Sequence, residues 1–332
     1  MSVSMPQDHA ALPALPALPA LVARGAARRL LARRRLPRLP SALDELLAHV
    51  AGSDAVEHGR LRPWLDLVVH AYIACDGHAR APGAERTLSV TTAAVAATVT
   101  ALDILDDLAD GDEPDAGRQA PNLALALVGE ATSLLSLLPA TSAAPLLALW
   151  GSMWTRCAAA QARDVSLSAD AHPSVEQALA VAEGSGLVTR WAVEAGALAA
   201  GAPAAMAAPL ARFGHDLGTA EKLLHDVHDL WPGPSHSRDL RRPCCSLALA
   251  LARREGTFPA LEDLNRYDDD TLRRRLLDGG ALHQAWAYAD LYRLRAAGAL
   301  ERFAATGGAP NPLNHILALP ADLALSHAHA GR

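Results

Sequence analysis

The 332-residue chain is long enough for one large domain or two small ones, and with 51 % hydrophobic residues it can bury a substantial core. Ala, Leu and Arg dominate while β-branched and aromatic residues are sparse, which argues for helices and against a sheet architecture. The net charge of −6 is uneven: residues 1–40 carry seven Arg against one Asp, about +6, so the remainder stands near −12. No nucleic-acid partner is expected for so acidic a body. The surplus either reflects ordinary solvated helix faces or carboxylates gathered for cations.

In chain order, Ala-Leu-Pro recurs three times from Ala11, and a proline every third residue breaks both helices and ladders. The basic run from Arg28 to Arg38 follows. It is Arg-rich like a transit peptide but lacks the apolar core of a secretion signal. Residues 1–40 read as a disordered or extended basic arm and residues 41–332 as one helical domain. Ser41 is placed to cap the first helix, with Asp44 in its first turn.

Apolar periodicity then predicts helices over 88–110, 123–138, 143–163, 175–200, 206–230 and 272–303, with breaks at Gly/Pro/Asp clusters. Nothing marks a second domain. The expectation is an all-α, single-domain bundle of about ten helices. No charge-free run of about 20 apolar residues is evident, so no membrane span is expected. Cys75, Cys157, Cys244 and Cys245 show neither disulfide nor metal-ligand spacing, and a cytoplasmic location is the default.

The stretch Leu102 to Asp112 is the most informative. On a helix Asp103, Asp106 or Asp107, and Asp110 share one side. They repel one another, and a helix C-terminus disfavours anions. A bound cation would offset both costs, and carboxylate oxygens suit Mg²⁺. The alternative is a solvated acidic helix end, which is the better reading for Asp112–Asp115. An EF-hand is excluded because Leu108 stands where a ligand is needed. A second cluster spans Glu221 to Leu230. There Asp226 and Asp229 are three apart, and His225 and Asp229 four apart, on an otherwise apolar helix. Alone it could equally be a capped surface end; paired with the first cluster, it describes a cage for metal and diphosphate.

These residues resemble the trans-isoprenyl diphosphate synthase (polyprenyl synthetase) family, in order from about Val56 to Phe303. His58-Gly59-Arg60-Leu61-Arg62-Pro63 looks like the family's GGKRLRP. Asp106-Asp107-Leu108-Ala109-Asp110 matches DDxxD in full. Gln161-Ala162-Arg163-Asp164 looks like the QxxD of GQxxDL, and Leu217-Gly218 to Leu230 like LGxxFQxxDDxxDL. Asp239-Leu240 and Pro243 look like the segment that follows.

The resemblance implies the isoprenoid synthase fold around a central cavity, with two Asp-rich helices facing each other and Mg²⁺ binding the diphosphate of an allylic prenyl substrate. It implies Asp106, Asp107 and Asp110 as ligands of one metal group. Asp226 and Asp229 would hold another, with His225 a ligand or hydrogen-bond donor. Arg62, Arg118 and Lys222 would contact diphosphate, and Gln161 and Asp164 would organise the cavity. A homodimer is also implied.

The departures lie mostly on the acceptor side. The family's GGKxxR lysine falls at Gly59, its His or Gln on the first-motif helix at Val99, and its KT pair at Gly184 and Ser185. The FQ pair becomes Glu221 and Lys222, and the first Asp of the second motif becomes His225. The double Arg after the first motif is reduced to Arg118. Ionisation of a prenyl diphosphate is therefore better supported than condensation with isopentenyl diphosphate.

Four functions are compatible. The first is a Mg²⁺-dependent prenyltransferase acting on isopentenyl diphosphate or another acceptor. The second is a class I terpene synthase, for which Trp64, Trp154 and Trp191 would have to line the pocket rather than the core. The third is a non-catalytic subunit of a heteromeric synthase. The fourth is a His/Asp metallohydrolase drawing on His225, Asp226, His228 and Glu221. Ala101 and Leu102 stand where the family uses aromatics to stop short products, so the resemblance implies room for a product of geranylgeranyl size or above.

Overall fold

The computed structural model describes residues 62–75, 84–110, 120–168, 173–230, 240–241, 244–314 and 316–317. The basic arm, Ser41 and Arg118 lie outside the described residues, as do the side chains of Arg62, Asp107 and Asp110. Ten α-helices and no strand occur among the described residues. They are α1 (Arg62–Ala74), α2 (Ala84–Asp110), α3 (Ala120–Ser136), α4 (Ala140–Ser168), α5 (Val175–Ala199), α6 (Ala204–Asp229), α7 (Leu247–Arg254), α8 (Asp269–Asp278), α9 (Ala281–Ala305) and α10 (Asn311–Asn314). A 3-10 turn, Leu261–Arg266, precedes α8.

Local chemistry fixes several ends. At α5 the Ser174 hydroxyl accepts from the Gln177 amide (3.2 Å), and the Gln177 side chain accepts from the Ser174 amide (2.7 Å), a reciprocal cap. Asp268 caps α8 by accepting from the Thr271 amide at 2.7 Å. The single helix expected over 272–303 is two. Gly279 ends α8, and Gly280, at φ 74°, begins α9 from the left-handed region that glycine adopts without strain. The apolar period runs through this break, so periodicity alone hides it. Helices α2, α3 and α4 also begin three to four residues earlier than the pattern indicates.

Helices α5 and α6 form the spine. They pack most extensively on each other, with α9 against α6 and both α1 and α4 against α5. Their close approach depends on missing side chains. A Cβ at Gly186 would stand 2.5 Å from the His215 carbonyl oxygen, and one at Gly218 would be 3.0 Å from the Gly186 Cα and would collide with the Thr189 hydroxyl. The Leu217-Gly218 pair is therefore a packing device: Leu217 is fully buried and Gly218 admits the neighbouring helix.

One core joins α1–α6 to the far end of α9, through residues such as Val68, Trp191, Phe213 and Phe303. A second core gathers the start of α5 and the end of α6 with α7, α8 and the start of α9. Trp191 is buried in the first core and Trp64 and Trp154 pack against it, so all three rings contribute to the core.

Helix α2 departs from expectation in one respect. Its Arg86–Asp106 segment is long and apolar enough to cross a membrane by length and composition. In this fold 67 % of its apolar window is buried, which makes it a core helix of the bundle.

Candidate active site

The C-terminal parts of α2, α4 and α6 bring the sequence-predicted residues together. Asp106 lies exposed on the last turns of α2, and α2 runs on through Asp107 and Asp110 to its end. Gln161 and Asp164 lie half-buried, one turn apart, near the end of α4. Glu221, Lys222, His225, Asp226 and Asp229 occupy the last turns of α6.

Lys222 is the centre of this arrangement. Its Nζ lies 2.9 Å from Asp226 Oδ1. Asp226 draws the ammonium's proton affinity strongly upward; burial opposes this, and Asp164 and Asp106 reinforce it. The lysine thus feels carboxylates from three helices. Asp164 has its carboxyl pushed up by burial. Lys222 and the Ser168 hydroxyl, which donates to Asp164 Oδ1 at 3.2 Å, counter this only partly, and Asp226 and Asp106 add to it.

One turn further on, His225 Nδ1 lies 2.8 Å from Asp229 Oδ2. The hydrogen bond to Asp229 raises the imidazole's proton affinity against the cost of burial. Burial pushes the Asp229 carboxyl up, but His225, with Lys222 and His228, holds it below the usual range. Glu221 is exposed on the outer side of α6, and the protein around it pushes its carboxyl up to about 7 by desolvation.

Two features escaped the sequence reading. The i,i+4 spacing of Lys222 and Asp226 forecasts their ion pair, yet the lysine was assigned only to diphosphate. Cys245, in the approach to α7, sits buried where it senses Asp164, Asp226 and Lys222; its thiol is pushed up to about 12, first by burial. Its position two residues after Pro243, in the segment that resembles the family's, was the available signal.

The structure also explains one departure from the family pattern. A Cβ at Gly184 would stand 2.5 Å from the Ala160 Cβ of α4, so the position that resembles the family's KT lysine has no room for a long side chain.

Among the described residues no group of three or more His, Cys, Asp or Glu is arranged to hold a metal ion by itself. For a Mg²⁺ ion the two Asp-bearing helix ends differ. On α2, Asp106 is exposed at a helix end whose sequence carries Asp107 and Asp110 as well, and carboxylate oxygens are the donor type that suits Mg²⁺. On α6, Asp226 and Asp229 are each already paired with a side chain of their own helix.

A geranylgeranyl pyrophosphate synthase superimposes on 94 % of this chain and 98 % of its own, with a TM-score of 0.76 and 16 % identity. The fold is that of the isoprenyl diphosphate synthases. A polyprenyl synthetase from Streptomyces coelicolor A3(2) matches 93 % of this chain and 98 % of its own, at 0.73 and 21 % identity. A polyprenyl synthase from Caulobacter crescentus CB15, complexed with calcium and isoprenyl diphosphate, matches 94 % and 96 %, at 0.72 and 23 %. No protein-family model and no curated protein matches the chain by sequence. The isoprenyl diphosphate synthase fold is thus shared nearly end to end, at low sequence identity.

Proposed function

We propose that this chain is a prenyltransferase of the isoprenyl diphosphate synthase type, which ionises an allylic prenyl diphosphate and transfers the prenyl group to isopentenyl diphosphate or another acceptor. The observation that carries this reading is the convergence of Asp106, Asp164 and Asp226 around Lys222 at one end of an isoprenoid synthase bundle. Polar groups so concentrated, above a core of aliphatic and small side chains, suit a substrate with a charged head and a hydrocarbon tail.

In this reading Asp106, Asp107 and Asp110 hold Mg²⁺, which when bound supplies positive charge to the diphosphate oxygens as the allylic C–O bond breaks. Lys222 lies half-exposed across the cleft and donates N–H groups to the departing diphosphate, as Arg62 and Arg118 would from the flanking segments. Gln161 and Asp164 shape the wall of α4. Leu102 is half-buried one turn before Asp106 and Ala101 is fully buried, so neither blocks a long tail, in keeping with a product of geranylgeranyl size or above.

The burial of Trp191 and the packing of Trp64 and Trp154 on the core favour prenyl transfer over cyclisation, because these rings are committed to structure. Cytoplasmic location and homodimer formation remain part of the same proposal.

The test is to incubate the protein and Mg²⁺ with geranyl, farnesyl and geranylgeranyl diphosphate, each with and without isopentenyl diphosphate. Diphosphate release and organic products are followed together. Longer prenyl diphosphates that need isopentenyl diphosphate support elongation. A cyclic hydrocarbon or alcohol from one substrate alone would replace this reading with a terpene synthase. No diphosphate release under any of these conditions would count against ionisation of these substrates.

A further inference from the structure

We propose that the Lys222 ammonium is a built-in replacement for a metal ion on the α6 side of the cleft, so that the protein loads metal through α2 alone. The inference rests on the reading that a diphosphate is ionised between α2 and α6.

The pairing of Lys222 Nζ with Asp226 Oδ1 at 2.9 Å is a direct, charge-assisted contact. Asp226 is buried, and an ammonium on that oxygen occupies the space a cation would need. Mg²⁺ demands near-octahedral oxygen ligation, and an ion on this carboxylate would have to compete with, and be repelled by, an ammonium already at hydrogen-bond distance from it. The other carboxylate of the α6 cluster, Asp229, is engaged by His225 at 2.8 Å. Asp164 and Asp106 also face the ammonium electrostatically, so one positive charge lies among three carboxylates from three helices.

The residue type fits the role. Lys222 is the single lysine in a chain whose other cationic side chains, histidine apart, are all arginine. An ammonium is a compact charge with three rotatable donors, close to a metal ion in its demands, whereas a guanidinium is a flat fork that needs a bidentate partner. A tethered cation also leaves donors for the arriving diphosphate.

Mn²⁺ binding in the presence of inorganic diphosphate, counted by electron paramagnetic resonance and calorimetry, tests the idea. Lys222→Gln is expected to bind one more Mn²⁺ per chain than wild type, and the Lys222→Gln/Asp226→Asn double variant to lose that ion again. Equal stoichiometry in wild type and Lys222→Gln would overturn the inference. The α2 site is judged separately, by whether wild-type Mn²⁺ binding disappears in Asp107→Ala.

A second measurement needs no variant. Because the chain has one lysine, ε-¹⁵N-lysine labelling gives a single side-chain ammonium signal. Protection of that ammonium from solvent exchange is expected to persist when Mg²⁺ is added. Loss of protection on adding Mg²⁺ would mean that metal displaces the lysine from Asp226, which would overturn the inference.

Discussion

Lys222 and Asp226 stand one helical turn apart on α6 with 2.9 Å between Nζ and Oδ1, and no other lysine exists in the chain. Removing the ammonium leaves a buried carboxylate without its cation. Lys222→Met is expected to lower stability by about 1–3 kcal/mol, the cost of an unsatisfied buried polar group. Urea unfolding followed by circular dichroism reads this directly. An unchanged midpoint would mean that water in the cleft replaces the ammonium.

In the proposed function the carboxylates of α2 serve the reaction rather than the fold. Asp107→Ala is therefore expected to reduce diphosphate release by about two orders of magnitude or more, the scale on which preorganised charge stabilises a departing anion. The melting temperature should stay within a few degrees of wild type. A variant that releases diphosphate at the wild-type rate would remove Asp107 from the site.

Packing along the spine gives a paired test. Gly218→Ala would drive a methyl group into the Thr189 side chain and towards the Gly186 backbone, so a loss of about 1–3 kcal/mol is expected from overpacking. Gly151→Ala, within α4, meets nothing within 4 Å and should gain about 0.5–1 kcal/mol through helix propensity. Thermal melts of the two variants should move in opposite directions.

The His225–Asp229 pair sets a pH window. The histidine's proton affinity is raised above its ordinary value of 6.5, so its contribution is complete below that pH and fades as pH climbs through the raised value. The aspartate is depressed below 3.8, so its contribution is complete above that pH and fades as pH falls through the lowered value. The pair therefore contributes most between about pH 4 and 6.5. His225 is well exposed, and solvent screening limits the effect to a few tenths of a kcal/mol. The stability difference between wild type and His225→Ala should be largest near pH 5 and shrink in alkaline buffer. A difference independent of pH would point to packing instead.

Much of the fold was legible because long apolar helices announce themselves by period. The starts of α5 and α6 were located to within a few residues from Val175 and Met206. The α8–α9 break was not, although Gly279-Gly280 stood in the sequence: the apolar stripe continues in phase across the glycines, and only backbone geometry shows the turn. In the site, His225 with Asp229 and Lys222 with Asp226 could be paired by counting four residues. That Asp164 and Asp106 also face Lys222 could not, because it depends on how three separate helices end at one level. The space around Gly184 is likewise a tertiary fact: only the position of Ala160 explains why no lysine stands there.

Helix α2 carries a consequence for how the chain is made. Its Arg86–Asp106 segment has the composition of a bilayer-crossing helix, and it emerges before most of what will cover it. The next helix, α3, supplies cover at once through Ala124, Leu127, Ala131 and Leu135, while α5 follows some way behind. For that interval the nascent protein presents an address that the cell's insertion machinery can read. Rapid pairing of α2 with α3 decides whether it is read. A charged residue at Leu127 would therefore do its harm on the ribosome, as misdelivered or aggregated chains, before any effect on the finished protein could be measured.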